Sequence, residues 1–93
     1  MEYYAKCKID GQCRITYKAF IDSNSTYVFS FHGENPDLLL LRKYHDGMKI
    51  PFAVTCRSDE KGRICLPKRL CPKGAEVVWI SFEDEDTAIL EFH

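Results

Sequence analysis

Apolar and polar residues alternate in short runs along this 93-residue chain, and turn-forming residues separate the runs. Arg63-Ile64-Cys65-Leu66 alternates with a period of two, the pattern of a half-buried strand. Val77-Val78-Trp79-Ile80-Ser81-Phe82 is dense in β-branched and aromatic side chains, which suit a pleated surface. Ala53–Cys56 and Thr87–Phe92 predict two more strands. Asp59-Glu60-Lys61-Gly62 predicts a turn, because glycine readily takes positive φ. Pro67 suits the first turn of a helix, where its missing N–H costs nothing, and Lys68–Cys71 supply about one turn before Pro72 stops it. The charged run Glu83–Asp86 predicts a hairpin tip. Residues 53–92 therefore predict a β-β-short helix-β-β unit. The same order is expected more loosely upstream. Strands fall at Tyr4–Ile9, Arg14–Tyr17, Tyr27–Phe31 and Leu38–Arg42, with turns at Asp10-Gly11 and Gly33–Asp37 and a loop over Ile21–Thr26.

The two halves match each other. Shifted by 49, Ala5-Lys6-Cys7-Lys8-Ile9-Asp10 falls on Val54-Thr55-Cys56-Arg57-Ser58-Asp59, and Arg14-Ile15 on Arg63-Ile64. Shifted by 50, Tyr27-Val28-Phe29 falls on Val77-Val78-Trp79 and Leu38-Leu39-Leu40 on Ala88-Ile89-Leu90, so one extra residue is expected between 64 and 77. Two units result, about 4–42 and 53–92, joined by about 43–52 with Asp46-Gly47 and Pro51. A unit of about 40 residues buries too little apolar surface to fold alone. Two interlocked copies exchanging like elements can share one core. The expectation is a single mostly β domain over 1–93, an intrachain pseudo-dimer.

Hydrophobic residues make up 45% of the chain and charged residues 29%, near the globular average and against disorder. The longest wholly apolar run is Leu38–Leu41, far short of the roughly 20 residues of a membrane helix. MEYYAKCK at the N-terminus has no apolar stretch of signal-peptide length. A cytoplasmic setting with no membrane partner is expected. Net charge is -1, so there is no global basic field. The charges are blocked, however. Residues 54–74 carry Arg57, Lys61, Arg63, Lys68, Arg69 and Lys73 against Asp59 and Glu60, whereas residues 75–93 carry Glu76, Glu83–Asp86 and Glu91 with no Lys or Arg. Such asymmetry can put one face of a small domain at positive potential.

The run Asp59-Glu60-Lys61-Gly62-Arg63-Ile64-Cys65-Leu66-Pro67-Lys68-Arg69-Leu70, followed by Ala75-Glu76-Val77-Val78-Trp79-Ile80, resembles the AbrB/SpoVT/MazE/MraZ superfamily of swapped-hairpin β-barrel proteins. The resemblance covers residues 53–92. The first half keeps Asp10, Arg14 and Ile15, but Cys13 stands at the glycine and Lys18 at the proline, with Gly11 as a substitute for turning. Two copies in one chain look most like the MraZ arrangement. The resemblance implies a swapped-hairpin β-barrel of two tandem repeats. It also implies a DNA-binding transcriptional regulator of the nucleoid-associated kind, whose post-turn arginines, here Arg63 and Arg14, approach DNA.

The residue chemistry agrees with that implication. Lys8 and Arg57 precede the turns at matched positions, and Lys61, Lys68, Arg69 and Lys73 extend the basic block. Lysine and arginine neutralise phosphates and release counterions. Arginine also reads guanine O6 and N7 through two hydrogen bonds. The expected partner is double-stranded DNA, with homo-oligomers adding affinity. The alternative is a protein-interaction module, antitoxin-like or a phage-encoded inhibitor, using the same fold without DNA binding.

No enzyme, cofactor or metal is expected. The chain has no nucleophile elbow and no Gly-rich phosphate loop, and His32, His45 and His93 are scattered. Cys7, Cys13, Cys56, Cys65 and Cys71 include no C-x-x-C pair and read as small buried hydrophobes. The matched Cys7 and Cys56 could meet across a pseudo-two-fold axis as a disulfide or a shared metal site.

Overall fold

The computed structural model describes residues 3–33, 35–49 and 53–93. Pro51, expected in the joining segment, lies outside the described residues. Eight strands form: β1 (Ala5–Lys8), β2 (Arg14–Thr16), β3 (Thr26–His32), β4 (Asn35–Lys43), β5 (Val54–Arg57), β6 (Arg63–Cys65), β7 (Val77–Asp84) and β8 (Thr87–Phe92). The protein is mostly β, as its alternation and β-branched content predict. None of the described residues forms a helix long and apolar enough to cross a membrane.

Six strands make one antiparallel sheet in the order β1-β7-β8-β4-β3-β5, and β2 pairs with β6 in a separate two-stranded ribbon. Exchanging β1–β4 with β5–β8 leaves this order unchanged, read backwards. The first strand of each half pairs with the third strand of the other: β1 pairs with β7, and β5 with β3. The cross-half pairings turn about two central pairs. Ile15 faces Ile64 in the ribbon, and Leu40 faces Ile89 between β4 and β8. An approximate two-fold relation between the halves therefore runs through both pairs.

This register corrects the sequence matching. Tyr44 N–H donates to the Thr26 carbonyl at 3.1 Å, as His93 N–H does to that of Val77 at 3.0 Å. Tyr44 therefore corresponds to His93 and Thr26 to Val77. The shift is 51 in the third strands and 49 in the fourth, so a uniform 50 misplaces both by one residue. The hydrophobic pattern could not reveal the slip, because β4 is apolar on both faces. Leu39 and Leu41 join the main core, while Leu38, Leu40 and Ile89 form a second cluster. A one-residue slip normally moves an apolar set to the polar face, and here that face is apolar too.

No helix is found among the described residues, which corrects the expected short helix. Leu70 and Cys71 N–H both donate to the Pro67 carbonyl at 3.0 Å, giving a single turn. Pro72 has no N–H with which to continue it. In the first half Phe20 and Ile21 N–H donate to the Tyr17 carbonyl in the same way, at 3.0 and 2.7 Å. There the next donor, Asp22 N–H, goes to the Tyr27 hydroxyl at 2.6 Å instead. Tyr17, not Lys18, therefore takes the place of Pro67.

The core lies between the inner face of the ribbon and one face of the sheet. Ile15 and Ile64 pack with Tyr27, Phe29, Leu39, Leu41, Val78, Ile80 and Leu90. The Tyr27 ring is buried, and its hydroxyl donates to the Phe20 carbonyl at 3.2 Å, so the polar atom is not stranded.

Candidate nucleic-acid interface

An aspartate organises each turn that leads into the ribbon. Asp59 Oδ1 accepts the backbone N–H groups of Lys61 and Arg63 at 2.9 Å each, and Oδ2 accepts Arg63 Nε at 2.6 Å. Asp10 repeats the arrangement, taking Gln12 and Arg14 N–H on Oδ1 and Arg14 Nε on Oδ2, all at 2.9 Å. The backbone N–H of the following arginine is the main reason each carboxyl is held below the usual aspartate range, and the guanidinium lowers it further.

The turns differ at one position. Gly62 closes the second turn at φ 77°, and Cys13 takes φ 60° at the matched place in the first. Gly11 does not adopt positive φ, so the expected substitution of Gly11 for the missing glycine is overturned. A cysteine bears the left-handed conformation, held by Cys13 N–H donating to Asp10 O and Leu66 N–H donating to Cys13 O.

Both arginines face away from the core. Ile15 and Ile64 point inward, so Arg14, Thr16, Arg63 and Cys65 share the outer face of the ribbon. Arg14 faces Cys65 and Arg63 faces Thr16 across the strands, which sets the two arginines on opposite sides of the Ile15–Ile64 pair. Their side chains are 19% and 31% exposed. Each aspartate engages Nε and leaves the terminal Nη groups, though Arg14 Nη1 also lies 4.0 Å from Asp59 Oδ2. The guanidinium forks are held in fixed orientations, while the two carboxylates cancel the local charge.

The other expected residues lie on several different elements. Lys8 and Arg57 are exposed at the ends of β1 and β5, the two outer strands of the sheet. Lys61 lies in a cleft of about 480 Å³ with Lys18, Asp22 and Glu60. Arg69 lies by Phe31, Ala53 and Leu70, and Lys73 lies by Asp37, Phe92 and His93, each in a separate cleft. Lys68 is exposed on the single turn after β6. Lys18 holds the matched position on the turn of the first half; the shift of 50 contains that signal.

The cysteine expectations are corrected: Cys7 is buried, Cys13, Cys56 and Cys71 are half-buried, and Cys65 is exposed on the outer face of the ribbon rather than a buried hydrophobe. Cys7 and Cys56 do not meet: they occupy the two outer strands, and the Cys7 thiol donates to the Thr16 carbonyl at 3.5 Å. All five cysteines are free thiols. Ser58 carries a structural role that sequence reasoning missed. Its buried hydroxyl donates to the Asp22 carbonyl and accepts Ser25 N–H at 3.0 Å, clamping the second turn to the loop of the first half. A lone serine before a turn gives no sequence signal for such a contact.

No protein-family model, curated protein or solved structure gives a significant match to the chain.

Proposed function

We propose that the chain is a double-stranded DNA-binding transcriptional regulator, acting in the cytoplasm on the nucleoid, with its ribbon as the reading surface. We also propose that its halves are two tandem repeats of a swapped-hairpin β-barrel fold. The observation that carries the DNA reading is the outer face of the ribbon, where Arg14 and Arg63 straddle the Ile15–Ile64 pair with only their Nε atoms taken by the turn aspartates at hydrogen-bond distance. A two-stranded β-ribbon fits the major groove. An arginine whose Nε is fixed by a carboxylate still offers Nη donors to guanine O6 and N7. Lys8, Arg57, Lys61, Lys68, Arg69, Lys73 and Lys18 then serve the phosphates. The swapped reading rests on the exchange of β1 and β5 between halves. The test is binding to random duplex DNA over a salt series, for wild type and Arg63→Ala. The reading fails if no binding appears at about 50 mM salt.

One observation favours a second reading, a protein-interaction module. Asp10 and Asp59 neutralise the two ribbon arginines, and the other cations are scattered among Asp22, Glu60 and Asp37. A salt-insensitive protein partner and no DNA binding would decide for it.

A further inference from the structure

The Cys13 and Cys71 side chains pack on the same core and lie close enough to interact, although 57 residues separate them in sequence; the Cys71 thiol itself donates to the Pro72 carbonyl at 3.8 Å. Backbone geometry accounts for the meeting. Leu66 N–H donates to the Cys13 carbonyl at 2.8 Å, and Cys71 N–H donates to that of Pro67 at 3.0 Å, so the cysteines flank the Leu66-Pro67 step. The other half repeats the approach with different residues. Gly62 and Ile21 hold the matched positions, and a Cβ on Gly62 would lie 3.5 Å from the Ile21 carbonyl oxygen. The fold thus brings each turn against the loop of the opposite half, and here both positions are cysteine.

We propose that Cys13 and Cys71 are a redox-sensitive thiol pair that closes to a disulfide across the two halves in response to a low-molecular-weight disulfide. The inference does not depend on the DNA reading. Burial, with Cys13 alongside, pushes Cys71 up to about 11, which makes it the slower of the two to start the exchange. The Cys13 thiolate attacks one sulfur of the small disulfide, whose S–S bond breaks and releases one thiolate. Cys71 then loses its proton to water, attacks the Cys13 sulfur of the mixed disulfide and expels the second thiolate. Two protein thiols are oxidised and one small disulfide is reduced to two thiols. The new bond closes a loop of about 60 residues and fastens the turn before Arg14 to the second half.

The test uses the whole purified chain incubated with glutathione disulfide, followed by thiol counting, tryptic peptide mapping and thermal unfolding. The expected result is loss of two of the five thiols, with peptide Ile9–Arg14 joined to Leu70–Lys73. Tm should rise by several degrees, and dithiothreitol should reverse both changes. Cys13→Gly, which installs the residue found at the matched turn, should keep its four thiols; Cys65→Ser should still lose two. Retention of all five thiols, a bond between Cys56 and Cys65 instead, or unchanged thiol loss in Cys13→Gly would overturn the proposal.

Discussion

Ile15 lies directly opposite Ile64 across the two-stranded ribbon, and both side chains are buried beneath the face that carries Arg14 and Arg63. The ribbon is short, with three residues on each strand. A two-stranded ribbon is marginal in water without an apolar face to pack. These two isoleucines connect it to the core of the sheet, so the outward arginines are only as fixed as the pair beneath them.

Ile15→Ala and Ile64→Ala should each therefore cost about 2–5 kcal/mol, the range for truncating a buried aliphatic side chain. The double variant should cost less or more than the sum by at least about 0.5 kcal/mol, because the side chains touch. Urea unfolding of the four proteins measures this. Strict additivity would mean that the ribbon halves pack on the sheet independently.

The turn aspartates give stability a defined pH sense. Asp10 and Asp59 have carboxyls lowered in the folded state. A lowered group contributes stability above its unfolded value, about 3.9, and that contribution disappears as pH falls through the lowered native value. Asp59→Asn should therefore be less stable than wild type at pH 7, and the gap should narrow below about pH 4. Parallel unfolding curves at pH 7, 4 and 2.5 read the effect. A gap that stays constant or widens in acid would mean that the Asp59 charge does not stabilise the turn its carboxylate bonds.

Glycine substitutions separate the two turn positions. Gly62 sits at φ 77°, where an added Cβ meets the Ile21 carbonyl at an ordinary contact distance, so the cost is conformational. Gly62→Ala should destabilise by about 1–2 kcal/mol. Gly11 has no positive φ and open space around its Cα, so Gly11→Ala should stay within about 0.5 kcal/mol of wild type. Equal losses at both positions would contradict the assignment of Cys13, rather than Gly11, as the residue that closes the first turn.

Much of the fold was legible because each strand carries its own signal. The alternation at Arg63–Cys65 and the β-branched run Val77–Ile80 both produced strands. The sequence points to a short helix because Pro67 signals a helix start, while only the contacts of residues 71 and 72 show that nothing continues it. Register was illegible where β4 is apolar on both faces. At the candidate site, the sequence singles out Arg14 and Arg63 as candidates but does not show that Asp10 and Asp59 hold their Nε atoms. The i, i+4 spacing of those pairs was visible, yet such spacing ordinarily marks a helix face rather than a turn. The scatter of Lys61, Arg69 and Lys73 into three clefts was out of reach, since linear charge blocks do not record which loop faces which.

The approximate two-fold relation through Ile15 and Ile64 makes a prediction about the DNA itself. If the ribbon reads the major groove, each arginine addresses one side of the site, and the preferred sequence should be pseudo-palindromic, mirroring the protein. The halves are unequal, because the single turn of the second carries Lys68 and Arg69 where the first carries Lys18 and Ala19. Selection from random duplexes should recover a site with one stronger half. Arg63→Ala and Arg14→Ala should weaken binding by about 1–3 kcal/mol each and relax opposite halves of that site. Lys68→Ala should instead weaken all sequences alike and reduce the log–log salt slope by about one. If both arginine variants relax the same bases, or neither changes the selected sequence, the ribbon is not the reading element and the symmetry of the fold serves only its core.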